Sequence, residues 1–139
     1  MAFEYGLTAR FHEVDRVGIV FFGRAYEYAH ICFEEVLTAA FGEVGTVFER
    51  LHFGMPLVHT EASYTRPIKH GDRLTVHASI ERLGERSVTY TYAITGASDP
   101  DDLRCNVRLK HAFVDFPAFT KRGVPDAFVE GMRRIELLP

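Results

Sequence analysis

Asp15 is followed by Arg16, Val17, a turn-forming Gly18 and the apolar run Ile19-Val20-Phe21-Phe22, and that run leads into a stretch patterned as a helix. A carboxylate held beside the free backbone N–H groups of a helix start sets a nucleophile or general base next to donors that stabilise developing negative charge, the two components acyl transfer needs. The same aspartate also suits a turn or helix cap, so on the residues alone both roles stay open. Other chemistries fit less well. His12, His52, His59, His70, His77 and His111 show neither an H-E-x-x-H pair nor the Cys/His spacing of a zinc site, so no metal is expected. The segment Gly96-Ala97-Ser98-Asp99-Pro100 breaks the G-x-S-x-G pattern of a nucleophilic serine, and Cys32 falls on a buried stripe with no basic surroundings. His59 and Glu61 share one strand face, where a solvated outward position competes with a pair near a cleft.

The elements that must position Asp15 follow from periodicity. Residues 3 to 12 read as a first strand. Ala25, Tyr28, Ala29, Cys32, Phe33, Val36, Leu37 and Ala40 recur with a 3.6-residue period, which predicts a long helix over 24–41 that Gly42 stops. A loop or short helix at 43–53 comes next, and the period then changes to two. Strands are expected at 56–65, ended by Pro67, at 72–83 and 86–96 as a hairpin, and at 103–116. Ser98-Asp99-Pro100-Asp101-Asp102 reads as an exposed turn, and Pro125 as the start of a short terminal helix. The order predicts a single α+β domain over 1–139, with one long helix packed on a mostly antiparallel sheet. A sheet curled around so apolar a helix leaves an edge or outer face for a second copy, so an oligomer is expected.

Composition narrows the class. With 139 residues and 47% hydrophobic side chains the chain can build a core without staples. A formal net charge of -3 gives no general attraction to nucleic acid or to an anionic membrane. Two cysteines, Cys32 and Cys105, are expected as reduced, buried thiols, and the first residues lack the apolar core of an export signal, which suits the cytoplasm.

Taken together, Asp15-Arg16-Val17-Gly18-Ile19-Val20-Phe21-Phe22 with Tyr26, Gly54-Met55-Pro56-Leu57-Val58, Tyr64-Thr65-Arg66-Pro67 and Gly71-Asp72 resemble the hotdog-fold acyl-CoA thioesterases of the 4-hydroxybenzoyl-CoA thioesterase type. The resemblance covers nearly the whole chain. It implies a long central helix wrapped by a mostly antiparallel five-stranded sheet, assembled as a homodimer or homotetramer. It further implies that Asp15 acts on the thioester carbonyl as nucleophile or by activating water, that the Phe22 backbone amide polarises the carbonyl oxygen, and that Gly18 permits the turn. Tyr26 and His30, one helical turn apart, would face the acyl group, and Arg86 and Ser87 would meet the nucleotide of coenzyme A, with Arg104, Arg108, Lys110, Lys121 and Arg122 as alternative contributors. Where the benzoyl-type pattern carries an acid on the helix, this chain has His30, which is closer to the 1,4-dihydroxy-2-naphthoyl-CoA branch. An aromatic acyl-CoA is therefore the expected substrate, a short or medium aliphatic thioester or a noncatalytic acyl-CoA-binding role the alternatives, and no cofactor is expected beyond the coenzyme A of the substrate.

Overall fold

The computed structural model describes residues 2–139. Helix α1 spans Arg24–Phe41 and buries all eight residues of the predicted stripe, Ala25 through Ala40. Gly42 closes it with φ of 87°, a positive value that glycine adopts readily, and its N–H reaches the Thr38 carbonyl at 2.9 Å. Strands β1 (Phe3–Thr8), β3 (Leu57–Tyr64), β4 (Arg73–Leu83), β5 (Ser87–Gly96) and β6 (Asp99–Ala112) form one five-stranded sheet in the order β1-β4-β5-β6-β3, antiparallel throughout. The alternating side chains Leu74, Val76 and Ala78 on β4, Val88, Tyr90, Tyr92 and Ile94 on β5, and Cys105, Val107 and Leu109 on β6 are all buried in the core that α1 shares. Each large apolar side chain so enclosed contributes roughly 1.5–3 kcal/mol of transfer free energy, so the period-two pattern fixes which face curls onto the helix. The expected α+β class and wrapped helix are both present.

Three boundaries differ from expectation, each for a physical reason. The first strand stops at Thr8, and Phe11–Glu13 form a 3-10 turn because the Glu13 N–H bonds back to the Arg10 carbonyl at 3.0 Å. The expected turn over 98–102 shrinks to Ala97 and Ser98, with Asp99 opposite Gly96 at the start of β6. Pro100 is tolerated there because β3 pairs no further along β6 than Cys105, so one edge of that segment lacks a neighbour. The last strand breaks at Phe113. Val114–Asp115 (β7) instead pair with Phe53–Gly54 (β2) in a separate ribbon beyond the short helix α2, Val47–Leu51.

That ribbon, α2 and the terminal helix α3 (Asp126–Arg134) close one end of the molecule with a cluster of phenylalanines. Phe53 lies in edge-on or tilted contact with Phe41, Phe48, Phe113 and Phe128 at centroid distances of 5.8–6.4 Å. The loop carrying Asp15 lies at the other end, beside the start of β4. The 11 residues of β4 separate the two ends by about 33 Å at ~3.3 Å per residue.

Candidate active site

The Asp15 loop is a tight excursion with both legs tied down. Val14 bridges Val20, the Asp15 N–H donates to the Ile19 carbonyl at 2.8 Å, and the Gly18 N–H returns to the Asp15 carbonyl at 3.0 Å. Gly18 has φ of 92°, which is why a glycine stands there. The Asp15 carboxylate accepts the Val17 N–H on Oδ1 at 2.8 Å, so it does cap its own turn, while Oδ2 meets no donor among the described residues. The capping reading of this position is met by one oxygen, and the other is left open to the cleft.

Glu13 fixes the loop to the helix. Its carbonyl accepts the Phe21 N–H at 2.9 Å, and its buried carboxylate accepts the Arg10 N–H at 2.7 Å and the Tyr28 hydroxyl at 2.9 Å. Burial, and next the Glu13 hydrogen bond, push the Tyr28 hydroxyl well above the usual phenol range, so it stays a donor. On the far leg, the Val20 N–H donates to the Ile68 carbonyl at 2.7 Å and Ile19 bridges Lys69, which lays the apolar run against residues 66–69.

Asp15, Phe22, Ala25, Tyr64, Arg66 and Ile68 are among the residues lining a cleft of about 640 Å³ over the start of α1, whose only charged lining residues are Asp15 and Arg66. The Phe21 carbonyl accepts the Arg24 N–H at 2.9 Å, and the Phe22 carbonyl accepts the Tyr64 hydroxyl at 2.5 Å and the Ala25 N–H at 3.3 Å. The N–H groups of Phe22 and Gly23 meet no acceptor among the described residues. They stand ahead of the positive end of an 18-residue helix, a setting that favours an oxyanion. Arg66 is tied to Asp102 at 3.1 Å, and Arg104 bridges Asp102 at 2.9 Å and Asp72 at 2.7 Å. Arg104 foremost, with Arg66 helping, holds the Asp102 carboxyl below its ordinary value.

The remaining expected site residues lie elsewhere. Tyr26 and His30 do share a face, but with Leu57, Thr60 and Leu109 they line a second pocket of about 490 Å³ between α1 and β3. Arg86 and Ser87 occupy the β4–β5 turn at the phenylalanine-packed end, where the Gly84 N–H donates to the Ser87 carbonyl at 2.8 Å. Within one chain they are not brought to Asp15. Arg104 is held by carboxylates, and Arg108 is clasped between Glu61 and Glu81 on the outer sheet face, with His59 at 3.4 Å from Glu61. Burial pushes the Cys32 thiol up to about 12, the wrong direction for a nucleophile. Sequence reasoning missed Glu13, Tyr64 and Arg66 as cleft-building residues. Tyr64 and Arg66 sat in a quoted motif but looked like ordinary strand-end positions.

Comparison with known proteins agrees with the fold. Residues 17–111 match the family described as the thioesterase superfamily. The chain is 27% identical over 130 residues to a 1,4-dihydroxy-2-naphthoyl-CoA hydrolase of Nostoc punctiforme, covering 94% of this chain and 86% of that protein. A similar hydrolase from Acaryochloris marina is 26% identical over 133 residues, covering 96% of this chain and 97% of that one. The crystal structure of a 1,4-dihydroxy-2-naphthoyl-CoA thioesterase from Synechocystis superposes with a TM-score of 0.85 over 100% of both chains at 22% identity. With the family matched over more than half its length, and with the helix wrapped by a five-stranded antiparallel sheet, the chain belongs to the thioesterase superfamily and has its hotdog fold.

Proposed function

We propose that the protein hydrolyses an aromatic acyl-CoA thioester to the free acid and coenzyme A, with Asp15 as the catalytic carboxylate. The observation that carries this reading is the meeting of Asp15 and Phe22 in one cleft, with the Phe22 N–H unpaired at the helix start. The thioester carbonyl oxygen binds the Phe22 N–H, which draws charge off the carbonyl carbon. Asp15 Oδ2, free of donors, attacks that carbon or takes a proton from the water that does. If Asp15 attacks, C–S cleavage leaves a mixed anhydride and the coenzyme A thiolate, and water then splits the anhydride to the free acid, restores the Asp15 carboxylate and supplies the thiol proton. If Asp15 acts as base, the water oxygen forms the new C–O bond as C–S breaks, and the proton held on Asp15 passes to the thiolate. Ile19, Val20, Phe21 and Ile68 give the cleft an apolar side, which suits an aromatic ring. The names of the relatives point to a hydroxynaphthoyl group. No cofactor enters this chemistry. The buried thiols Cys32 and Cys105 fit a cytoplasmic setting.

The working unit is a homodimer built on the β3 edge. Strand β3 is eight residues long, lies at the end of the sheet and leaves Leu57, Val58 and Tyr64 at 45%, 56% and 51% exposure. A long edge of that kind is a template for a second strand. Twofold antiparallel pairing of β3 with itself brings the Leu57 end of one chain to the Tyr64 end of the other. The Asp15 cleft then gains a neighbouring pocket from the partner's Tyr26 and His30, and the turn with the partner's Arg86 and Ser87 comes to the side where the coenzyme A nucleotide leaves the cleft. Turnover of benzoyl, hydroxynaphthoyl, hexanoyl and carrier-protein thioesters tests the substrate class. The aromatic coenzyme A esters turn over fastest, and a strong preference for straight chains refutes the aromatic reading.

A further inference from the structure

We infer that Tyr64 is a positioning residue for the oxyanion-binding turn, an inference that rests on the thioesterase reading above. Tyr64 ends the edge strand β3, and its hydroxyl donates to the carbonyl of Phe22, 42 residues away in sequence, at 2.5 Å. Phe22 lies outside α1, and among the described residues its carbonyl otherwise receives only the Ala25 N–H at a long 3.3 Å. Tyr64 therefore makes the short bond to this peptide.

The geometry explains why that matters to the reaction. Two peptide planes flank the Phe22 Cα. The first, which carries the Phe22 N–H, is pinned at its oxygen by the Arg24 N–H at 2.9 Å. The second, which carries the Gly23 N–H, is pinned at its oxygen by Tyr64. With both oxygens engaged and both N–H groups free, the turn presents donors whose directions are set before substrate arrives, which is the preorganised arrangement that stabilises an oxyanion at no reorganisation cost. A hydrogen bond accepted at the oxygen of an amide also polarises that amide, so Tyr64 strengthens the Gly23 N–H as a donor as well as aiming it. Burial first, then Cys105 and Tyr26, raise the Tyr64 hydroxyl above the ordinary phenol value, which keeps the donor protonated through mildly alkaline pH. Since the ring is half exposed, phenylalanine can replace it without opening the core.

The test compares wild type, Tyr64→Phe and Asp15→Asn on one aromatic acyl-CoA, with the Kd of its nonhydrolysable thioether analogue measured alongside. In Tyr64→Phe, kcat falls about five- to fiftyfold, less than the roughly 100- to 1000-fold cost of deleting an oxyanion donor itself, while KM and the thioether Kd change less than about twofold. The Gly23 amide proton of the labelled protein moves upfield in the NMR spectrum, and that of Gly6, in β1, stays in place. An unchanged kcat, an unmoved Gly23 resonance, or a raised Kd with kcat intact each overturns the assignment. If Tyr64→Phe folds poorly, 3-fluorotyrosine at position 64 keeps the ring and acidifies the hydroxyl. Its kcat then falls at a lower pH than in wild type, and an unshifted profile overturns the inference. Asp15→Asn reports separately: retained turnover there defeats the hydrolase reading itself, whereas an inactive Asp15→Asn with an unaffected Tyr64→Phe defeats only the role given to Tyr64.

Discussion

The two ends of the sheet use the same kinds of side chain in opposite ways. At one end Phe53, Phe113 and Phe128 are fully enclosed and pack on one another, with α3 laid over them. At the other, Phe21, Phe22 and Tyr64 stand at 51–63% exposure around the Asp15 cleft. Aromatic surface left open in a contiguous region is surface that something else covers. The packed end holds the fold together. The open end has its backbone fixed by Glu13, Gly18 and Tyr64 while its apolar surface stays uncovered in the single chain. On the proposed function, stability and chemistry are separated along the strands, and substitutions should sort by end.

The largest effect on stability belongs to the packed end. Phe128→Ala removes a fully buried ring and should cost about 3–5 kcal/mol in urea unfolding while leaving kcat/KM of the folded fraction nearly unchanged. A comparable loss of turnover in protein that remains folded would break the separation.

A somewhat smaller effect resides in His111. It stacks on Phe33 at 4.5 Å, its Nδ1–H donates to the Met55 carbonyl at 2.9 Å, and its Nε2 meets no partner among the described residues. Burial, opposed by the Met55 bond and aided by nearby His30, lowers its pKa from the usual 6.5 to about 4. Because the folded value lies below the unfolded one, unfolding takes up a proton between those limits. The stabilisation from this group is therefore complete above pH ~6.5 and is lost as pH falls toward 4, about 3 kcal/mol in all. Urea melts at pH 7 and pH 4.5 should show this component in wild type and lack it in His111→Phe. The same slope in both proteins would remove His111 from the account.

The smallest effect falls at the open end. Phe22→Ala keeps the backbone N–H and loses only an exposed ring, so stability should stay within about 0.5 kcal/mol and kcat within roughly one order of magnitude of wild type. A far larger rate loss would shift the weight from the amide to the ring.

Much of this was legible in the sequence because periodicity records burial. The α1 stripe and the β4, β5 and β6 alternation mark the core side directly, and helix 24–41 is bounded as expected. Asp15, Gly18 and Phe22 could be singled out because a turn glycine and a helix start are local features. Glu13, Tyr64 and Arg66 were not legible, since their importance arises from partners far along the chain: Tyr28, Phe22 and Asp102, respectively. Nor does spacing tell which end of a sheet a hairpin turn reaches. Arg86 and Ser87 sit away from Asp15 in one chain, and the proposed antiparallel pairing of two β3 edges would bring one chain's turn toward the other's cleft.

The most direct test of the central claim is single-turnover hydrolysis of a hydroxynaphthoyl-CoA by Asp15→Asn, run at concentrations where a nonhydrolysable thioether analogue shows equal occupancy of variant and wild type. The account predicts equal binding and a rate lower by roughly 100- to 10,000-fold, the usual contribution of a positioned base or nucleophile. Equal binding with thiol release at the wild-type rate would contradict it.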